Sequence, residues 1–330
     1  MNNTIPLNEA LPWSPTVPRN VLICDSIDGK GDFVLQTMVV SQLSSSSKGR
    51  VFWLSGTSLA EQQIASSLKR MGCTDQGLDQ YIRDRRQTNN ITDTRKNRGG
   101  LIIRSLSAEV ANQLVENADD FQSETYLKEI YKNIKEWLQG DVQSSNAGDS
   151  DNAHLQNRFI HWIVLDDVSS MATVLGEKLV YGFVSSLLSL SHRLSNFGIL
   201  LRCSNDVDQL AIKVTANEGK DQSGWVGAGG MYHKQYLKYN INAMVPWERV
   251  LESMVDAVVD VLPLPSGFSR DAHGRLIFTE TPAGRGWGHE QLPASKKVPV
   301  GKGQAWNKLI VNYCIHDSGV RAIRLRETII

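Results

Sequence analysis

The sequence predicts an α/β fold built on a doubly wound, mainly parallel sheet with antiparallel strands at its C-terminal end. Three observations carry this. Up to about residue 201, short and nearly continuous apolar runs alternate with segments of helical periodicity, the pattern of parallel strands joined by right-handed helical crossovers. The runs have no polar side, so the sheet is covered on both faces. Beyond about residue 245 strand-like runs follow one another without helices between them, which implies antiparallel hairpins.

Val21-Leu22-Ile23-Cys24 is the first clear strand, closed by Asp25 and a polar, glycine-containing turn, and Phe33 to Leu43 is the helix after it. Val51 to Leu54 is the second strand, followed by a helix that Ser58 caps, that Leu59, Ile64, Leu68 and Met71 make apolar on one side, and that Gly72 stops. Leu101 to Ile103 is the third strand. Leu127, Ile130, Tyr131, Ile134, Trp137 and Leu138 then recur at helical spacing in a helix ending near Gly140. Phe159 to Leu165 is a buried-type strand ending in Asp166-Asp167, and its helix turns Leu179, Val180, Phe183, Val184, Leu187, Leu188 and Leu194 inward. Gly198 to Leu201 is the fifth strand. A short helix over Trp247 to Met254 leads to Ala257 to Leu262, a turn at Pro263, Pro265 and Gly267, and Arg275 to Phe278. Two last strands, Leu309 to Ile315 and Val320 to Leu325, flank the turn Asp317-Ser318-Gly319.

A chain of 330 residues is long enough for one α/β domain with insertions. We read residues 1–18 as a loose arm, polar and punctuated by proline, with no apolar segment of the secretory kind. Residues 19–330 form the domain, with polar insertions near 83–99, 141–157, 213–230 and 282–305. The 35 basic and 35 acidic residues cancel, so nothing global steers the protein toward nucleic acid. Cys24, Cys73, Cys203 and Cys314 form no CxxC pair, which points to buried thiols and away from a zinc site or a disulfide framework. The apolar helix from Leu179 to Leu194 is broken by Ser185, Ser186, Ser189 and His192, too polar for a membrane span. A cytoplasmic setting, with the nucleus also allowed, is the default.

The turn Cys24-Asp25-Ser26-Ile27-Asp28-Gly29-Lys30-Gly31 sits where a phosphate-binding loop sits, between a strand and the start of a helix. It departs from the motif twice. Cys24 replaces the first glycine and Gly31 replaces the Ser or Thr whose hydroxyl ligates Mg²⁺, and Asp25 and Asp28 add negative charge. Asp166 at its strand end has the place of a metal-holding carboxylate, and Asp167 suits a helix cap. Gly29, Lys30 and Asp166 are therefore the candidate nucleotide contacts, with an ordinary loop as the plainer reading. The third strand ends Ile103-Arg104-Ser105, without the acid that activates water, and no catalytic residue is assigned. The histidines form no catalytic set; His161 reads as structural. Gly224 to Gly230 is glycine-rich but not set in a βαβ unit, so it reads as a loop and not a dinucleotide fingerprint. Arg83, Arg85, Arg86, Arg95, Lys96 and Arg98 are the densest basic cluster: either a solvated insertion or an RNA-backbone contact.

Three segments in this order carry a family resemblance: Val21 to Asp25 with its degraded phosphate loop, Val164-Leu165-Asp166-Asp167, and above all Val261-Leu262-Pro263-Leu264-Pro265-Ser266-Gly267-Phe268-Ser269-Arg270-Asp271-Ala272-His273-Gly274-Arg275-Leu276. Together they resemble the family of the sixth Elongator subunit, in which a Leu-rich strand, a Gly-containing turn and a His-Gly-x-Leu start of the next strand recur. The resemblance implies a RecA-like fold and a non-catalytic accessory role. It further implies assembly with the fourth and fifth Elongator subunits into a hexameric ring, work alongside the catalytic Elongator subcomplex in tRNA wobble-uridine modification, and tRNA contact through the assembled ring. No cofactor is required of this chain alone, and ATP is allowed at a subunit interface. The alternative from another class is an autonomous RecA-like NTPase with a degenerate phosphate loop.

Overall fold

The computed structural model describes residues 4–10, 18–26, 30–45, 50–57, 61–73, 101–117, 121–139, 161–194, 197–204, 247–264, 269, 271–281, 308–316 and 319–323. The four long insertions, the basic cluster, Gly29 and the run 224–230 all lie outside them, as do Ser58, Leu59, Phe159, Asp317 and Leu325.

Strand β1 (Thr4–Pro6) and helix α1 (Leu7–Ala10) precede the alternating core. The core runs β2 (Asn20–Asp25), α2 (Asp32–Ser45), β3 (Val51–Ser55), α3 (Glu61–Arg70), β4 (Leu101–Ser105), α4 (Leu106–Asn117), α5 (Ser123–Gln139), β5 (His161–Asp166), α6 (Val168–Leu175), α7 (Glu177–Arg193), β6 (Phe197–Ser204), α8 (Trp247–Met254) and β7 (Ala257–Pro263). Strands β8 (Gly274–Glu280), β9 (Lys308–His316) and β10 (Gly319–Ile323) close it. Among the described residues the sheet has ten strands in the order β1-β10-β9-β8-β7-β2-β6-β5-β3-β4. From β7 to β4 neighbours are parallel, and from β7 to β1 they are antiparallel. This is the doubly wound, mainly parallel α/β architecture that the alternation predicts, with its antiparallel strands at the C-terminal end.

Alternate residues of each strand feed two separate cores, because strand side chains switch faces with period two. Val21, Ile23, Trp53, Ile103, Trp162, Val164, Leu200, Val259 and Phe278 pack under α1, α2 and α3. Leu22, Phe52, Leu54, Ile163, Leu165, Leu201 and Val258 pack under α4 to α8. The helices after β2 and β3 thus lie on one face, and those after β4, β5 and β6 on the other.

Some elements differ from expectation. Residues 4–10, inside the arm expected to be loose, form β1 and α1: β1 pairs antiparallel with β10, and Leu7 is buried beneath α2. One apolar anchor and three residues of ladder are too short a signal for periodicity to detect. Helix α4 has no counterpart in the sequence reading. Only Leu106 and Val110 of its apolar residues are buried, whereas Leu114 and Val115 are exposed, so no inward stripe marks it. A separate helix α6 also precedes α7. No described helix is long and apolar enough to cross a membrane.

Strands β7 and β8 pair antiparallel, with Pro263 opposite Gly274. A Cβ on Gly274 would fall 2.6 Å from the Leu262 carbonyl and 2.6 Å from the Tyr313 hydroxyl, so the approach of three strands there demands glycine. Gly274→Ala is expected to cost about 1–3 kcal/mol, the usual penalty of overpacking. Chemical denaturation that leaves the midpoint within error of the parent would show that the three strands do not meet as described.

Candidate functional site

In open α/β sheets, ligand sites form beyond the carboxyl ends of the strands, where neighbouring strands send their connections to opposite faces. One such point falls between β2, whose chain continues into α2 on one face, and β6, whose chain continues to α8 on the other. Register places the site's side chains. Ile23 pairs with Arg202 and Asp25 with Ser204, Leu165 pairs with Leu201, and Ser55 pairs with Asp166. Arg202 and Asp166 therefore lie side by side, with Ser55 beyond and Asp25 one step further along β2. All point to the α2 face.

The crevice is filled by the protein's own charges. Arg202 donates from Nε to Asp166 Oδ1 at 2.5 Å and from Nη1 to Asp25 Oδ2 at 2.8 Å. The same Asp25 oxygen accepts the amide of Gly31 at 2.7 Å, at the start of α2. The side chains of Asp25 and Asp166 are each 3% exposed and that of Arg202 10%. A carboxylate at a helix N-terminus takes the position that an anionic ligand would use, and here it is Asp25.

The second acid has a different task. The Asp166–Asp167 peptide is cis. Asp167 caps α6, accepting from Ser169 N at 2.9 Å and Ser170 Oγ at 3.1 Å, as its place in the sequence suggests. The Asp166 carbonyl accepts Gly56 N at 2.5 Å, and the Asp167 carbonyl accepts Met171 N at 3.0 Å. Ser169 Oγ also accepts the Ser204 amide at 3.0 Å, joining α6 to the end of β6.

Burial pushes the carboxyls of Asp25 and Asp166 above their ordinary range, and Arg202 recovers only part of that. Burial acts to lower Arg202, but Asp166 and then Asp25 more than reverse it, so the guanidinium stays charged. The crevice is thus a desolvated ion triad. Such groups are held by mutual pairing, and the loss of one partner is far costlier than the net worth of the cluster.

Of the candidate nucleotide contacts, Asp166 lies in this triad, Lys30 is exposed on the approach to α2, and Gly29 lies outside the described residues. Gly31 is pressed into the sheet: a Cβ there would fall 2.9 Å from Ile23 Cγ2 and 3.1 Å from Asp25 Cβ. A serine at 31 therefore has no room for its side chain unless the loop moves. The sequence reading missed Arg202 by ending its strand at Leu201. The available signal was the run Leu201-Arg202-Cys203, in which a lone charge continues the strand alternation toward the α2 face. His161 is buried, with its ring 5.6 Å from that of Trp137 in an edge-on contact, in keeping with a structural role. Among the described residues no group of three His, Cys, Asp or Glu could hold a metal.

No family model matches the chain, and no curated protein matches it. Among solved structures it is similar to the KaiC-like protein PH0186 of the hyperthermophilic archaeon Pyrococcus horikoshii, at 10% identity over 93% of this chain and 89% of that one, with a TM-score of 0.43. It is also similar to the uncharacterized protein PH0321 of Pyrococcus horikoshii, solved with an unknown peptide, at 10% identity over 94% of each chain and a TM-score of 0.47.

The triad has a pH signature. A carboxyl raised in the folded state takes up protons on folding, so stability falls as pH rises from the unfolded-chain value of about 3.9 through the higher folded value. Replacing Arg202 removes the group that lowers both acids and extends that loss to higher pH. Arg202→Leu is expected to destabilise by about 3–5 kcal/mol near neutrality, with the deficit shrinking in melts at pH 5. Adding Asp25→Asn and Asp166→Asn should restore much of it. A deficit of equal size at both pH values would mean that the carboxylates are not left uncompensated.

Proposed function

We propose that this chain is a non-catalytic RecA-like subunit that acts by assembling with related chains, specifically as the sixth-subunit partner of the fourth and fifth Elongator subunits in a hexameric ring. In this reading the ring supports tRNA wobble-uridine modification in the cytoplasm or nucleus, the chemistry belongs to the catalytic Elongator subcomplex, and tRNA contacts belong to the assembled ring. The basic residues Arg83, Arg85, Arg86, Arg95, Lys96 and Arg98 are this chain's contribution to them.

The observation that carries the non-catalytic reading is the Arg202 bridge between Asp25 and Asp166. A Mg²⁺-nucleotide fits these residues poorly. A metal on Asp166 has to displace the guanidinium, and a phosphate at the start of α2 meets the Asp25 carboxylate already bonded to Gly31 N. The Mg²⁺-ligating hydroxyl is missing at Gly31, and the packing there opposes its addition. The Elongator reading is supported by the segment from Val261 to Leu276. Its His-Gly pair has a definite job: His273 Nδ1 accepts the Ile315 amide at 2.9 Å, His273 N donates to the Tyr313 carbonyl at 2.8 Å, and Gly274 fits between strands.

Native mass spectrometry of the chain co-expressed with the fourth and fifth Elongator subunits tests the assembly reading, and a hexamer with two copies of each is expected. A chain that stays monomeric beside them discards it. The purified chain alone is expected to show no shift in melting temperature with saturating Mg-ATP, whereas a ligand at a hundred times its Kd adds about 2.7 kcal/mol. ATP turnover by the lone chain, abolished by Lys30→Ala, would instead establish the autonomous NTPase.

A further inference from the structure

We propose that Cys24 and Cys203 form a redox-responsive thiol pair that can lock β2 to β6 beneath the charged crevice. All four cysteines are buried thiols outside any disulfide, and only these two are direct partners in the sheet: Cys24 pairs in parallel register with Cys203. Both side chains belong to the core under α4 to α8, so they point the same way from adjacent strands. Paired strands lie about 4.8 Å apart, within the Cα separation of about 4.4–6.8 Å that a disulfide spans, although its Cβ atoms must approach to about 3.5–4.5 Å. The bridge therefore requires the two strand ends to close on each other.

The position gives that closure a consequence. Each cysteine is the penultimate residue of its strand. Cys24 precedes Asp25 and Cys203 follows Arg202, so the thiols and the ion triad grip the same seam from opposite faces. Ser169 Oγ lies 3.2 Å from Cys203 Sγ, and the same hydroxyl accepts the Ser204 amide within the turn that Asp167 caps. Drawing Cys203 toward Cys24 therefore pulls β6 away from Ser169 on α6 and draws Arg202 away from Asp166 on β5.

The oxidant we invoke is a hydroperoxide. When local opening at the strand ends admits hydrogen peroxide, Cys203 Sγ, 3.2 Å from the Ser169 hydroxyl, breaks its O–O bond and becomes a sulfenic acid, releasing one water. Cys24 Sγ then attacks that sulfur, the S–O bond breaks, the S–S bond forms, and the departing hydroxide takes the Cys24 proton as a second water. Two thiols lose two electrons and two protons, and one peroxide becomes two waters.

The test is peptide mapping of the full-length chain, treated with hydrogen peroxide while folded, freed of the oxidant and then alkylated in denaturant. The expected result is a mass loss of two hydrogens and a single cross-linked peptide pair containing Cys24 and Cys203, reversed by dithiothreitol. Cys73 and Cys314 should remain alkylatable, and Cys73→Ser and Cys314→Ser variants should keep the cross-link. Cys24 and Cys203 both recovered as free thiols, or sulfinic acid on either without a cross-link, overturns the proposal, as does a bridge through Cys73 or Cys314. The parent chain alone yields these outcomes, so the test stands even if a Cys24→Ser or Cys203→Ser variant fails to fold.

Discussion

The tip of this fold depends on a single guanidinium in a place where water is excluded. Arg202 sits between Asp25 and Asp166 at the ends of three adjacent parallel strands, and the backbone around it is arranged for the three charges. Asp25 holds the start of α2 through Gly31 N, and the Asp166 carbonyl holds Gly56 after β3. Strands β2, β6, β5 and β3 and helix α2 are thus tied at one point. Desolvation makes the net worth of such a cluster modest. Its effect is selective: a slip of one residue in β6 would turn Arg202 to the opposite face and bury two acids without a cation.

A second polar cluster at the β4 edge follows the same logic. Arg104 donates to both Glu109 oxygens, from Nε at 2.9 Å and from Nη2 at 2.5 Å. Tyr126 from α5 donates to Glu109 at 2.9 Å, and burial, then the Glu109 charge, push its phenol far up. The cluster fastens α4 to α5 and β4 although half of α4 contributes nothing to the core. At the opposite edge the fastening is apolar: β1 adds to β10 and Leu7 enters the core with α2. In both cases the outermost elements are held by a few specific contacts, whereas the central strands are held by continuous burial.

That difference governs what could be read from the chain. Central strands such as Trp162-Ile163-Val164-Leu165 are legible because every residue is buried, whichever face it serves. Helices α5 and α7 are legible because one stripe of each is apolar. Helix α4, the short α6 and the β1–α1 pair are not, since their places are decided by contacts with partners distant in sequence. The candidate site was half legible. Asp25 and Asp166 stand out by position, but the residue that joins the acids does not, because Arg202 lies 177 positions from Asp25 and 36 from Asp166.

By itself the sequence determined the alternation of strands and helices, the antiparallel end, the buried thiols and the lack of a hydroxyl side chain at Gly31. These follow from local periodicity and from residue chemistry at fixed spacing. Only the tertiary structure decided that β6 lies between β2 and β5, and hence that Arg202 meets two acids and Cys203 meets Cys24. Strand order and register are set by packing across the whole sheet, and no local pattern in the chain encodes which strand becomes whose neighbour.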